Sequence, residues 1–224
     1  MLKIIIGNKA YSSWSLRGWL AVKQSGLPFE ELVLPMYDAN WDSRKREADL
    51  AVSNGKVPTL WDGDIPVWDS IAIIDWLDKR TGGDKFWPTE PAALALARSI
   101  AAEMHSSYVP LRKACCMNTR KSYAAQQPST AVLENIARID ALWCQARERF
   151  GAAKGDYLFG DFGAADIMFA PVVSRFVTYA LPASPVAKAY IDAVMAHPWM
   201  VEWIADARNE SWVLDQYEQG ADFS

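Results

Sequence analysis

The sequence predicts an α/β N-terminal half built on a mixed four-stranded sheet, followed by an all-helical C-terminal half. Three observations predict it: a β-α-β-α-β-β-α order up to residue 80, a Gly- and Pro-punctuated break across residues 81–91, and the loss of every strand signal beyond it.

Each element follows from local chemistry. Leu2 to Ile6 is a short apolar β run. Polar residues Asn8 to Ser13 lead into a helical pattern carrying Leu16, Trp19, Leu20 and Val22, which Gly26 and Pro28 terminate. Phe29 to Pro35 alternates as a second strand, and Asn40 to Ala51 is polar enough for a loop with one short helix. Val57 to Trp61 and Ile65 to Trp68 flank Asp62-Gly63-Asp64 and read as a hairpin. Asp69-Ser70 opens a helix with Ile71, Ile74 and Leu77 on one face. A single hairpin in this order requires crossovers elsewhere, hence a mixed sheet. Beyond the break, helices are expected over residues 91–117, 130–150, 164–180, 185–196 and 198–207, with an irregular, partly mobile tail from Trp212. The expected domains are residues 1–82 and 91–224.

Composition narrows the function. A net charge of -4 argues against a nucleic-acid surface, which needs a clustered basic face. Arg44-Lys45-Arg46 is followed by Glu47 and Asp49 and reads as a solvated helix face. No apolar run reaches membrane-spanning length, and Met1-Leu2-Lys3 runs directly into the first strand without a leader pattern. Cys115, Cys116 and Cys144 fit neither a disulfide framework nor a metal site, so a reducing cytoplasm is the expected compartment. Eleven tryptophans point to large aromatic contributions to the core and its pockets.

Three features of the N-terminal half bear on chemistry. Ser12-Ser13-Trp14-Ser15 stands at the mouth of the first helix. It reads either as a helix cap or as a thiol activator, because a hydroxyl and free helix N–H groups both favour an anion there. Lowering a thiol pKa by about two units takes roughly 2.7 kcal/mol. A hydrogen bond to a charged group supplies roughly 1.5–3 kcal/mol and the helix end about 0.3–1 kcal/mol, so no metal or general base is needed. Val57-Pro58 precedes a strand; it is either an ordinary strand start or, with a cis bond, an edge for an extended peptide. Asp69-Ser70 reads as a cap or as a grip on an amino-acid terminus, carboxylate to ammonium and hydroxyl to carboxylate. Together the three describe a site for a small thiol peptide, and glutathione has all three parts.

These residues resemble the cytosolic glutathione transferase family along essentially the whole chain. Ser12 to Arg17 is similar to the Ser-Ser-Cys-Ser-x-Arg signature of the zeta class, with Trp14 where that class has cysteine. Asn54 to Leu60 resembles the stretch around the family's cis-proline, Asp69 to Ile74 its acid-Ser segment, and Gly160 to Asp166 the capping segment of its helical domain. The resemblance implies a thioredoxin-like N-terminal domain, a helical-bundle C-terminal domain and a serine-type enzyme close to zeta- and theta-like bacterial members. It implies a cytoplasmic homodimer that conjugates reduced glutathione, as co-substrate and with no other cofactor or metal, to a largely apolar electrophile in detoxification. Ser12 or Ser13 would activate the thiol, with Trp14 beside them. Val57 before Pro58 would pair the cysteinyl backbone, and Asp69 and Ser70 would hold the γ-glutamyl end. Trp41, Lys45 and Lys56 are candidates for the glycyl carboxylate or the pocket wall. Met104, His105, Ser107, Tyr108 and Arg112 would line the second-substrate pocket, and Asp166 would be structural, with Gly163 leaving its capping box incomplete. The same resemblance admits a zeta-like cis–trans isomerase acting on maleylacetoacetate, a non-catalytic ligand-binding protein, or an interaction module.

Overall fold

The computed structural model describes residues 1–223. The N-terminal half runs β1 (Leu2–Gly7), α1 (Ser13–Ser25), β2 (Phe29–Leu34), α2 (Trp41–Arg44), α3 (Ala48–Ala51), β3 (Thr59–Asp62), β4 (Ile65–Trp68) and α4 (Ser70–Arg80). The sheet order is β2-β1-β3-β4, with β1 and β2 parallel and the other two pairs antiparallel. This is the mixed, thioredoxin-like sheet that the sequence order requires. Ile4, Ile5 and Ile6 are fully buried, which is why β1 is a continuous apolar run. The polar stretch from residue 40 holds two short helices where one was expected.

The C-terminal half is helical: α5 (Pro91–Ser106), α6 (Val109–Ala114), α7 (Thr130–Ala146), α8 (Ala164–Thr178), α9 (Pro185–Ala196) and α10 (Pro198–Asn209). The single helix expected over residues 91–117 is two. Tyr108 takes a left-handed conformation, φ 64°, between α5 and α6. Pro110 explains the break, since a continuing helix would need its missing N–H to bond the carbonyl of Ser106. α7 runs on into a π-helical turn, Arg147–Gly151. The tail is irregular apart from a 3-10 turn at Asp215–Tyr217, but it is tied down rather than loose. Tyr11 Oη donates to Glu218 at 2.5 Å, Asn118 Nδ2 to the Tyr217 carbonyl at 2.9 Å, and Tyr123 Oη to the Glu218 carbonyl at 2.9 Å.

α8 is buried nearly all round and forms the axis of the helical half. It packs on both α1 and α5, so one hydrophobic core runs from Ile4 and Trp19 to Trp143 and Trp203. Asp166 anchors the start of α8 by accepting the N–H groups of Gly163 at 2.9 Å and Leu158 at 3.1 Å. The capping box is therefore half formed, as Gly163 has no side chain to return the bond. A Cβ at Gly163 would sit 2.7 Å from the Phe86 carbonyl oxygen, which itself accepts Ala164 N–H at 2.8 Å. Close backbone approach thus accounts for the glycine. Among the described residues no helix is long and apolar enough to cross a membrane.

Candidate functional site

A cavity of about 1090 Å³ opens where the sheet half meets α5, α6 and α8. Three chain positions from the N-terminal half converge on it: the start of α1, the Asn54-to-Val57 segment ahead of β3, and the residue before α4. Ser12, Ser13, Trp14, Trp41, Lys45, Lys56, Val57, Asp69, His105 and Arg112 of the expected residues line it. Pro58, Ser70, Met104, Ser107 and Tyr108 do not.

Those five have other placements. The Val57–Pro58 bond is cis, and Pro58 packs beneath α1 against Gly18, where a Cβ would lie 2.7 Å from the proline ring. Ser70 is 1% exposed, its hydroxyl against the Met168 sulfur of α8 at 3.9 Å. Met104 belongs to the core, because its position on α5 faces inward with Ala97, Ile100 and Ala101. Tyr108 is turned into the helical half at the α5–α6 break and donates to Glu103 at 2.5 Å. Ser107 is half-buried at the end of α5, with its hydroxyl 3.5 Å from that of Ser106.

At the start of α1, Ser12 is the cap: its Oγ accepts the Ser15 N–H at 3.3 Å. The same Oγ donates to Ser15 Oγ at 2.8 Å, and Ser15 Oγ also accepts the Gly7 N–H at 2.9 Å. Ser15 is fully buried, while Ser12, 7% exposed, reaches the cavity. Ser13, the first residue of α1, also lines the cavity, and its hydroxyl makes no hydrogen bond among the described residues. Tyr11 is adjacent, but its hydroxyl is committed to Glu218; burial, followed by that bond, pushes it up to about 12.

Trp14 is clamped. The Arg17 guanidinium lies 4.5 Å from its ring centre and that of Arg112 5.1 Å, and His105 meets it edge-on at 5.2 Å. His105 Nε2 stands 3.3 Å from Asp69 Oδ2. Asp69, at φ 72°, caps α4 through Oδ1, which accepts Ile71 N–H at 3.0 Å. Lys45 pairs with Asp42 at 2.5 Å, whereas Lys56 has no acidic partner among the described residues.

Arg175 is the largest omission from the sequence reading. It reaches the cavity from α8, donating Nε to the Cys115 carbonyl and Nη1 to the Pro171 carbonyl, each at 2.8 Å. Burial, then the nearby Arg112 charge, lowers it to about 10. Lys113, Cys116, Met117 and Tyr217 complete that end of the cavity. Burial raises the Cys116 thiol, which leaves it a poor nucleophile.

Residues 11–80 match the family model for the glutathione S-transferase N-terminal domain. The chain is 28% identical over 181 residues to the glutathione S-transferase GstB of Escherichia coli K12, across 77% of this chain and 86% of that protein. Among solved structures, a glutathione transferase homolog from Burkholderia gl BGR1 with bound glutathione has a TM-score of 0.68 at 21% identity, covering 94% of this chain and 99% of that one. The theta class glutathione S-transferase of Xanthomonas axonopodis pv. citri, with glutathione bound, gives 0.64 at 19% identity over 91% and 96%. At these identities the structures show a common fold. The family model thus covers the N-terminal half, while the bacterial relative and the solved structures show what the rest of the chain is similar to.

Proposed function

We propose that this chain is a glutathione transferase whose Ser12 hydroxyl steadies the glutathione thiolate for attack on an electrophilic carbon. The observation that carries this reading is the 2.8 Å contact between the Ser12 and Ser15 hydroxyls at the mouth of the cavity. With Ser12 donating, the proton of the fully buried Ser15 hydroxyl has no acceptor. A hydroxyl proton rotates freely, so the 2.8 Å contact also serves with Ser15 donating. Gly7 N–H then bonds Ser15, Ser15 bonds Ser12, and the Ser12 proton turns to the cavity. Such a chain polarises each bond in turn. Ser13, with its unbonded hydroxyl, is the second donor at the same helix end.

In this reading the Val57 backbone pairs the cysteinyl segment and Asp69 holds the γ-glutamyl ammonium. The Ser70 backbone N–H, free at the first turn of α4, takes the adjacent carboxylate in place of its buried hydroxyl. Lys56, Lys45 and Trp41 meet the glycyl end. Glutathione enters as co-substrate, and the protein works as a cytoplasmic homodimer. The test is glutathione consumption with a panel of electrophiles, comparing the wild type with Ser12→Ala and Ser13→Ala. Turnover lost chiefly in Ser12→Ala supports the reading; no turnover with any electrophile despite tight glutathione binding sinks it in favour of a binding protein.

A further inference from the structure

Two guanidiniums, Arg112 of α6 and Arg175 of α8, line the cavity, and a third, Arg17 of α1, is buried against Trp14. Arg17, Arg112 and Arg175 form no ion pair with any aspartate or glutamate among the described residues. Arg17 is 2% exposed, donates Nε to the Met168 carbonyl at 2.9 Å, and leaves Nη1 buried without a partner. Arg112 donates to the carbonyls of Met104 and His105. Arg175 bonds only the two carbonyls described above. Peptide carbonyls orient a guanidinium but do not neutralise it. The Arg112 charge lies close enough to the other two to disfavour their ionised forms. Asp69 acts on Arg17 from a distance and is already shared with His105.

Keeping like charges together away from water is unfavourable unless something compensates. Arg112, Lys113 and Arg175 line the cavity, and the acid that lines it with them, Asp69, already pairs with His105. The missing partner is therefore a negative charge that arrives with the ligand. Trp14 and Met117 supply an apolar wall for the body of the molecule. Resting on the transferase reading for the site as a whole, we infer that the electrophile carries a carboxylate or equivalent anion, bound by Arg112 and Arg175 beside Trp14. This modifies the largely apolar electrophile expected from the sequence. The planar guanidinium fork suits a carboxylate in two-pronged contact.

A matched pair of electrophiles tests it: 4-chloro-3,5-dinitrobenzoate and the uncharged 4-chloro-3,5-dinitrobenzamide. In either, the thiolate attacks the carbon bearing chlorine; a C–S bond forms, the C–Cl bond breaks, and chloride leaves with the electron pair. Binding of 3,5-dinitrobenzoate and 3,5-dinitrobenzamide, which have no leaving group, is measured beside turnover by tryptophan fluorescence. The wild type should favour the carboxylate over the amide by roughly tenfold or more in both assays, scaled on a hydrogen bond to a charged group. Arg112→Gln should reduce that preference, and Arg175→Lys, which keeps the charge but not the fork, should reduce it partly. Equal binding of the two unreactive compounds by the wild type overturns the inference, as does a preference unchanged in Arg112→Gln. Tighter carboxylate binding that Arg112→Gln abolishes, without turnover of either chloride, upholds the anion site and rejects the transferase reading instead.

Discussion

The Ser12 and Ser15 hydroxyl oxygens lie 2.8 Å apart at the mouth of α1, one turned to the cavity and the other sealed in the core. On the proposed reading the outer hydroxyl is held from behind and the pair acts as one donor. Ser12→Ala should move the acid limb of the pH–rate profile to higher pH by about two units. Ser15→Ala should move it in the same direction by less, since Ser12 persists but loses its supporting donor. A profile unmoved in both variants removes the serines from thiol activation.

On the proposed reading Asp69 both caps α4 and holds an ammonium, two tasks that an asparagine separates. Asparagine at this position still caps α4 and tolerates positive φ, but it carries no charge. Asp69→Asn should therefore weaken glutathione binding by roughly tenfold with little change in stability. A glutathione analogue lacking the γ-glutamyl amino group should bind both forms alike. Calorimetric titration separates the cases, and equal losses for both ligands would place the effect elsewhere than the ammonium.

Gly163 looks like an improvable cap, yet the structure predicts the opposite. Serine there would complete the capping box and contribute about 1 kcal/mol. Its Cβ, however, would press to 2.7 Å from the Phe86 carbonyl oxygen, and overpacking costs typically about 1–3 kcal/mol. Gly163→Ser and Gly163→Ala should both lower the urea midpoint. A gain in stability for the serine variant would show that the Phe86 loop yields easily.

Burial lifts the Asp166 carboxyl to about 6, so the folded chain binds its proton more tightly than the unfolded chain does. The stability it contributes is complete below the ordinary carboxylate range and is lost as pH rises through 6, on the order of 2–3 kcal/mol in total. Urea unfolding at stepped pH should show this slope in the wild type and its loss in Asp166→Asn, which will also be weaker overall for want of one acceptor. Identical slopes in the two proteins would mean that the two backbone N–H bonds keep the carboxylate ionised.

The sheet half was legible because its signals are local. The triple isoleucine of β1, the Asp62-Gly63 turn and the Gly26 stop each act within a few residues, and the order of elements then limits the topology. The site's first strip was legible for a related reason: a serine at a helix start is both cap and anion donor, and the structure shows Ser12 as the cap. The helix break at Tyr108 was missed because apolar periodicity through residues 91–117 outweighed one proline. Arg175 lay beyond reach for a different reason. It comes to the cavity from the helix expected over residues 164–180, and only its bond to the Cys115 carbonyl at the end of α6 brings it near Arg112. The docking of Tyr217 and Glu218 onto Tyr11 joins segments some two hundred residues apart, and irregular chain carries no periodicity from which to predict it.

The central claim is that the start of α1 lowers the pKa of bound glutathione's thiol through Ser12. Ultraviolet titration of thiolate absorbance in the enzyme–glutathione complex measures this directly. The account predicts a thiol pKa about two units below that of free glutathione in the wild type and a return toward the free value in Ser12→Ala. A wild-type complex whose thiol titrates like free glutathione would contradict it.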